Sequence, residues 1–124
     1  MWDFQQYHNE LNITFVKQFI NYFEIKSPTS FIDFGCGEGM AVKYLNSIGI
    51  ECTGIDIVKK PQWKFKMIEA ALWDVKEQIK AEYGLCTDVL EHIPTNKIEE
   101  VLKTISEKIT DKVFFNISLR ADGC

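Results

Sequence analysis

The sequence predicts an α/β fold in which parallel strands alternate with helices. Two short apolar runs, residues 31–34 and 51–57, flank a segment whose apolar residues recur at helical spacing. A strand, a helix and a strand of this length form a right-handed βαβ unit with parallel strands. Three glycines at alternate positions, Gly35, Gly37 and Gly39, follow the first run. A buried strand that leads through glycines into a helix is typical of a ligand-binding turn in such folds.

Length, composition and charge predict one soluble domain. The 124 residues are 46% hydrophobic and 26% charged, which argues against disorder, and this length suits a single core. The net charge of −4 disfavours a general affinity for phosphate backbones but leaves a local basic patch open. The start has no signal-peptide pattern, and no apolar run approaches a membrane-spanning length. We therefore expect a single cytoplasmic domain, residues 1–124, with no membrane partner.

The cysteines fit the same compartment. Cys36, Cys52, Cys86 and Cys124 include no C-x-x-C pair, and three of them fall in or beside predicted buried strands. We expect reduced, buried thiols, since zinc sites and disulfides usually show other spacings or other compartments.

The first 28 residues are expected to form a helical arm. Residues 11–23 carry apolar side chains at helical spacing and predict an amphipathic helix. Trp2, Tyr7 and His8 precede this helix without any period. They leave two interpretations open, a packed N-terminal arm or a flap over a bound ligand.

The glycine loop has an acidic residue, Asp33, two places before its first glycine. A dinucleotide fingerprint, G-x-G-x-x-G/A, would place its third glycine one residue later, and Met40 stands where that pattern has a small residue. A carboxylate beside the loop would repel a pyrophosphate, whereas it suits an ammonium or sulfonium group. The amides and the positive end of the following helix would face the same ligand.

A second acid, Asp56, ends the second predicted strand. It would lie at the carboxyl end of that strand, beside the glycine loop, where open α/β sheets bind ligands. A carboxylate at this position can accept both hydroxyls of a ribose. A helix cap or a surface acid is the simpler alternative.

The chain between this strand and the next is basic and aromatic. Residues 59–66 read Lys-Lys-Pro-Gln-Trp-Lys-Phe-Lys, and we expect a solvated connection there, with contact to an anionic substrate as the alternative. A weak third strand is predicted for residues 65–69, and a short helix of mixed polarity for residues 74–81.

The second informative stretch covers residues 83–94, where an apolar strand leads into Asp-Val-Leu-Glu-His-Ile-Pro. Thr95 or Asn96 is expected to cap the following helix. That helix has an apolar stripe made of Ile98, Val101, Leu102, Ile105 and Ile109. Residues 112–118 then predict a fifth strand.

Together these motifs resemble the class I S-adenosylmethionine-dependent methyltransferases. The D-x-G-x-G-x-G loop from Asp33, the acid Asp56 and the D-V-L-E-H-I-P stretch from Asp88 follow one another in that family's order, and the resemblance covers nearly the whole chain. It implies a Rossmann-like three-layer α/β sandwich with a mostly parallel sheet of about five strands in the order 3-2-1-4-5. The family adds a final antiparallel hairpin, and this chain ends just past the fifth strand.

The resemblance also implies a cofactor, S-adenosyl-L-methionine, and the residues that bind it. These positions are Asp33, Gly35, Cys36, Gly37, Gly39, Asp56, Ile57, Leu72, Trp73, Thr87 and Asp88. Ala71, Leu72 and Trp73 match the turn that flanks the adenine, with plain core packing as the alternative. Thr87 and Asp88 match the positions that border the methionine and the methyl group.

Methyl transfer from a sulfonium needs few catalytic groups, because the donor carries its own leaving group and the protein mainly orients the reactants. If the acceptor must lose a proton, we expect His92, Asp88 or Glu91 to act as general base, with a structural role for His92 as the alternative. No metal site is expected, although these three residues stand at i, i+3 and i+4, which on a helical turn would suit a divalent cation.

The predicted function is therefore methyl transfer to an unidentified acceptor, with a small molecule favoured. DNA amino-group methylation is disfavoured, because residues 87–90 lack the [DN]-P-P-[YFW] motif. A non-catalytic S-adenosylmethionine-binding domain or subunit completed by a partner is the first alternative, and an NAD-dependent oxidoreductase is the second. With the family's strand order, the fifth strand would be an exposed apolar edge, so we expect self-association.

Overall fold

The computed structural model describes the backbone of residues 4–116 and the side chains of residues 13–116. The helices and strands, in chain order, are α1 (Phe4–Tyr22), β1 (Ser30–Phe34), α2 (Met40–Ser47), β2 (Glu51–Asp56), β3 (Met67–Glu69), β4 (Ala81–Thr87), α3 (Ile98–Lys108) and β5 (Ile109–Asn116). Two 3-10 turns, Leu90–His92 and Thr95–Lys97, lie between β4 and α3. No helix in the described part of the chain is long and apolar enough to cross a membrane.

The five strands form one sheet in the order β3-β2-β1-β4-β5. Every neighbouring pair is parallel. The predicted fold class and strand order are therefore confirmed. Because the strands are parallel, the carboxyl ends of β1, β2 and β4 lie at one edge of the sheet, where ligands bind in open α/β folds.

Alternate side chains of the central strand β1 enter two apolar cores on opposite faces of the sheet. Phe31 packs with Phe19 of α1 and Leu45 of α2. Ile32 packs on the other face, in the cluster that contains Val101 of α3. All five side chains are buried, and each contributes about 1.5–3 kcal/mol by leaving water. The result is a three-layer α/β sandwich with β1 in its centre.

The first helix is longer than the sequence predicts. It begins at Phe4, so the backbone of Tyr7 and His8 is helical although these residues precede the predicted amphipathic segment, residues 11–23. The backbone of Trp2 and the side chains of Tyr7 and His8 lie outside the described residues, so the flap hypothesis stays a prediction.

The segment between β3 and β4 is irregular where a helix is predicted. Residues 74–80 contain no helix, and β4 begins at Ala81. The chain must return from one end of the sheet to the other here, a distance of about 20 Å for strands of this length. A seven-residue helix would span only about 10 Å. The extended path also lets Val75 and Ile79 pack against the core on the α3 side of the sheet.

The start and the end of α3 also differ from the prediction. Lys97 occupies the cap position without a side-chain hydrogen bond, because Thr95 and Asn96 belong to a preceding 3-10 turn. The predicted side-chain cap is therefore wrong. At the other end, Ile109 pairs with Ala81 as the first residue of β5, so sheet pairing takes this residue out of the helix.

Candidate ligand-binding site

The glycine loop joins β1 to α2 through three residues with positive φ. Gly35, Gly37 and Gly39 have φ values of 79°, 53° and 80°, which favour glycine because it has no β-carbon. A β-carbon on Gly35 would overlap Val89, and one on Gly39 would overlap the Phe65 ring. A β-carbon on Gly37 would meet nothing within 4 Å. The Cα atom of Gly37 therefore faces open space, whereas those of Gly35 and Gly39 are packed against side chains.

Asp56, at the end of β2, holds this loop in place. The Gly37 amide donates a hydrogen bond to Asp56 Oδ2 at 2.8 Å, and the Val58 amide donates to Oδ1 at 3.2 Å. A carboxylate offers about four lone-pair sites, so both oxygens can accept further bonds. The acid that the sequence suggests for a ribose thus also helps to fix the conformation of the loop.

A cavity of about 310 Å³ opens beside the loop at the carboxyl ends of the central strands. Its walls are mostly apolar, and its lining residues are Gly35, Asp56, Ile57, Ala71, Leu72, Trp73, Asp88, Val89, His92, Ile93 and Pro94. An apolar cleft with a few convergent polar groups is the usual form of a small-molecule site.

The cavity brings together part of the predicted site. The predicted residues in its lining are Gly35, Asp56, Ile57, Ala71, Leu72, Trp73, Asp88 and His92. The predicted residues outside its lining are Asp33, Cys36, Gly37, Gly39, Thr87 and Glu91. Val89, Ile93 and Pro94 line it without having been assigned a role from the sequence. The signal that could have found them is their place in the stretch after β4, which turns over the same sheet edge.

Asp33 lies beneath the loop, outside the cavity. Its side chain is buried among described residues, and its Oδ1 atom has no hydrogen-bond partner there. Burial, and to a lesser extent the charge of Asp56, raises the pKa of Asp33 to about 7. A cation that binds near this carboxyl group would lower its pKa, because a positive charge favours the ionised form.

The described cysteines are unpaired, buried thiols, as the sequence suggests. Cys36, Cys52 and Cys86 are all free. Burial is the main cause that raises the pKa of each thiol above its ordinary value, so these thiols stay protonated and unreactive. Cys124 lies outside the described residues.

The segment after β4 forms a different turn from the one required by the metal alternative. Asp88 has a φ of 54°, and its amide donates to the Asn116 carbonyl at 2.7 Å. The 3-10 turn begins after it and ends at the exposed His92. Asp88 therefore lies outside the turn that contains Glu91 and His92, and the three residues do not share one helical face. Among the side chains of residues 13–116, no three His, Cys, Asp or Glu residues are grouped closely enough to hold a metal ion.

Comparison with known proteins identifies relatives of this chain. The model of a family described as "Methyltransferase domain" matches residues 4–122. A curated Caenorhabditis elegans protein, "Probable tRNA (uracil-O(2)-)-methyltransferase", is 35% identical over 51 residues, which cover 41% of this chain and 9% of that protein. The chain thus spans only a small part of this curated relative.

Solved structures share the fold. A SAM-dependent methyltransferase from Archaeoglobus fulgidus has a TM-score of 0.69 at 21% identity, over 86% of this chain and 51% of that one. The Burkholderia thailandensis 1,6-didemethyltoxoflavin-N1-methyltransferase, solved with bound S-adenosylhomocysteine, has a TM-score of 0.58 at 15% identity, over 88% of this chain and 60% of that one. The chain therefore spans about half the length of these structures.

Proposed function

This chain belongs to the methyltransferase domain family, and from that premise we propose that it binds S-adenosyl-L-methionine in the cavity and transfers the methyl group to an acceptor. The observation that carries the proposal is the position of Asp56, which joins the glycine loop to the cavity. Its carboxylate accepts a hydrogen bond from the Gly37 amide at 2.8 Å and also lines the cavity wall.

The residues of the cavity fit the nucleoside part of this cofactor. Asp56 supplies acceptors for two ribose hydroxyls. Ile57, Leu72 and Trp73 supply apolar surface beside it, which suits a purine ring. The open backbone at Gly37 leaves room for a ligand against the loop. The buried carboxylate of Asp33 is suited to a cationic group, and we place the ammonium or sulfonium end of the cofactor in the part of the cavity nearest to Asp33.

The chain itself has a limited chemical task. When bound, the cofactor supplies an activated methyl group and its leaving group. The cavity walls orient the reactants and exclude water, which is the main contribution that a protein makes to such a displacement. For an acceptor that must lose a proton, we propose Asp88 or His92 as the base, because both line the cavity. From the family resemblance, we propose that Thr87 and Cys36 also border the bound cofactor.

Two classes of acceptor have support. A small molecule is our first proposal, since the cavity has the size and apolar lining of a small-molecule site. RNA is the second, and the observation that favours it is the name of the curated relative, a probable tRNA (uracil-O(2)-)-methyltransferase.

Calorimetric titration tests the cofactor. We expect S-adenosylhomocysteine to bind with a stoichiometry of one, and NAD to give no heat of binding at the same concentration. Binding of NAD instead would favour the oxidoreductase alternative and contradict the proposal. Binding of S-adenosylhomocysteine without turnover, across both acceptor classes and with a candidate partner added, would favour the non-catalytic alternative.

We further propose that β5 pairs with a second copy of the chain. Among the described strands, β5 has a hydrogen-bonded neighbour on one side only, and its Phe115 side chain is 42% exposed. A strand edge of this kind is a template for pairing. Gel filtration over about a hundredfold range of concentration should show a dimer that Phe115→Lys weakens. A monomer at every concentration would contradict this expectation.

A further inference from the structure

The connection between β2 and β3, together with Lys43 of α2, forms a basic and aromatic surface. We define this basic–aromatic patch by Lys43, Lys59, Lys60, Trp63, Lys64 and Phe65. The connection, residues 57–66, has four lysines and no acidic residue, in a chain with a net charge of −4. Positive charge is therefore concentrated locally against the overall charge of the protein.

The fold holds the two aromatic rings of the patch in place. Phe65 packs against the core on the α1 side of the sheet and against the backbone of Gly39. The Trp63 and Phe65 ring centroids are 6.1 Å apart, with an interplanar angle of 31°. Lys43 Nζ is 5.4 Å from the centroid of Phe65, and Lys60 Nζ is 5.7 Å from that of Trp63. One ammonium group thus lies near each of the two rings.

The lysines of the patch have no acidic partners in the described structure. Lys43, Lys59, Lys60 and Lys64 are all exposed, and among residues 13–116 none of them forms an ion pair. Lys66, the next lysine along the chain, differs because it pairs with Glu51 at 3.3 Å. Positive charges without acidic partners attract a polyanion.

We propose that the basic–aromatic patch binds single-stranded RNA, with phosphates at the lysines and a base stacked on Trp63. Basic side chains around exposed aromatic rings are the usual means of binding unpaired nucleic acid strands. The connection that carries most of the patch begins at the cavity wall, because Ile57 lines the cavity and Lys59 follows two residues later. The inference deepens the RNA acceptor class of the proposed function and rests on it for the choice of nucleic acid.

Fluorescence anisotropy with a labelled oligouridine tests the patch. In the triple variant Lys59→Glu, Lys60→Glu, Lys64→Glu, we expect affinity to fall more than tenfold. The slope of log affinity against log salt should decrease by about 2, since each phosphate contact contributes about 0.7 on a single strand. Trp63→Ala should weaken binding about tenfold through lost stacking and leave the salt slope unchanged.

A matched control removes the same number of lysines elsewhere. The triple variant Lys76→Glu, Lys80→Glu, Lys103→Glu changes exposed residues outside the patch and gives the same net charge, so it should keep the parent's affinity within about threefold. Equal losses in both triple variants would overturn the proposal. So would tighter binding of phosphatidylserine vesicles, or of oligodeoxythymidine, than of oligouridine.

Titration of the same proteins with S-adenosylhomocysteine separates this inference from the proposed function. We expect the patch triple variant, Trp63→Ala and the control triple variant to bind S-adenosylhomocysteine with the parent's affinity. A parent protein that binds S-adenosylhomocysteine but no oligouridine would refute the RNA patch alone. A parent that binds oligouridine but no S-adenosylhomocysteine would refute the methyl-donor proposal alone.

Discussion

Replacing Asp33 with asparagine is expected to stabilise the ligand-free protein, by an amount that increases with pH. Burial and the charge of Asp56 raise the pKa of Asp33 from 3.8 to about 7. A raised acid pKa means that the folded state holds its proton more tightly than the unfolded state. The parent therefore loses stability as pH rises from about 4 to about 7, where the unfolded chain has already released the proton. Above pH 7 the loss is on the order of 4 kcal/mol.

Chemical denaturation at pH 5 and pH 8 measures this effect. The free energy of unfolding of Asp33→Asn should exceed that of the parent by more at pH 8 than at pH 5, because asparagine carries no charge at either pH. Asp74→Asn is the matched control, since Asp74 is exposed and its replacement should leave the pH dependence of stability unchanged. An equal gain at both pH values would show that ionisation of Asp33 is not the cause.

The same substitution should weaken binding of the methyl donor. A cationic ligand near Asp33 would favour the carboxylate and recover part of the cost of ionising it, whereas asparagine offers no charge. We therefore expect Asp33→Asn to combine higher stability with lower affinity for S-adenosylmethionine. This combination is common where a binding site contains a destabilised group.

Removing the carboxylate of Asp56 is expected to reduce affinity for S-adenosylhomocysteine at least a hundredfold. Two hydrogen bonds from ribose hydroxyls to a charged acceptor contribute about 1.5–3 kcal/mol each. Asp56→Ala also removes the acceptor of the Gly37 and Val58 amides, so the loop loses one of its hydrogen bonds to β2, while those of the Gly35 and Cys36 amides to the Ile55 carbonyl remain. Isothermal titration calorimetry of the parent and the variant gives the ratio of dissociation constants directly.

Two further variants isolate the cause. Asp56→Asn retains one carbonyl acceptor and should bind with intermediate affinity. Glu69→Ala removes the exposed acid at the end of the neighbouring strand β3, outside the cavity lining, and should bind like the parent. If Asp56→Ala bound S-adenosylhomocysteine within about threefold of the parent, Asp56 would have no role in holding the nucleoside.

Much of this architecture could be predicted from local sequence patterns. The alternation of apolar runs with helical segments predicts β1, α2 and β2, because strand and helix periodicity are properties of a few consecutive residues. Gly49 follows α2 with a φ of 83°, and a glycine just after a helix is a local signal for its end, because a positive φ is a requirement on a single residue. The strand order was predicted from the family resemblance, because it depends on contacts between distant segments that local sequence patterns do not indicate.

The position of Asp56 could be predicted from the local sequence, but one of its contacts could not. Its position at the end of a predicted strand places it at the ligand-binding edge of a parallel sheet, and the structure has it in the cavity lining. Its second contact, the hydrogen bond from the Gly37 amide, joins residues 19 positions apart and has no signature in either local segment.

The sequence by itself determined the elements, the glycine loop and the acids at the strand ends, because each depends on the conformation or polarity of neighbouring residues. Only the tertiary structure decided that Asp33 lies buried beneath the loop, outside the cavity, and that Val89, Ile93 and Pro94 help to line it. It also decided that residues 74–80 cross the sheet in an irregular conformation. Burial and cavity walls arise where distant segments pack together, so no short stretch of the chain contains them.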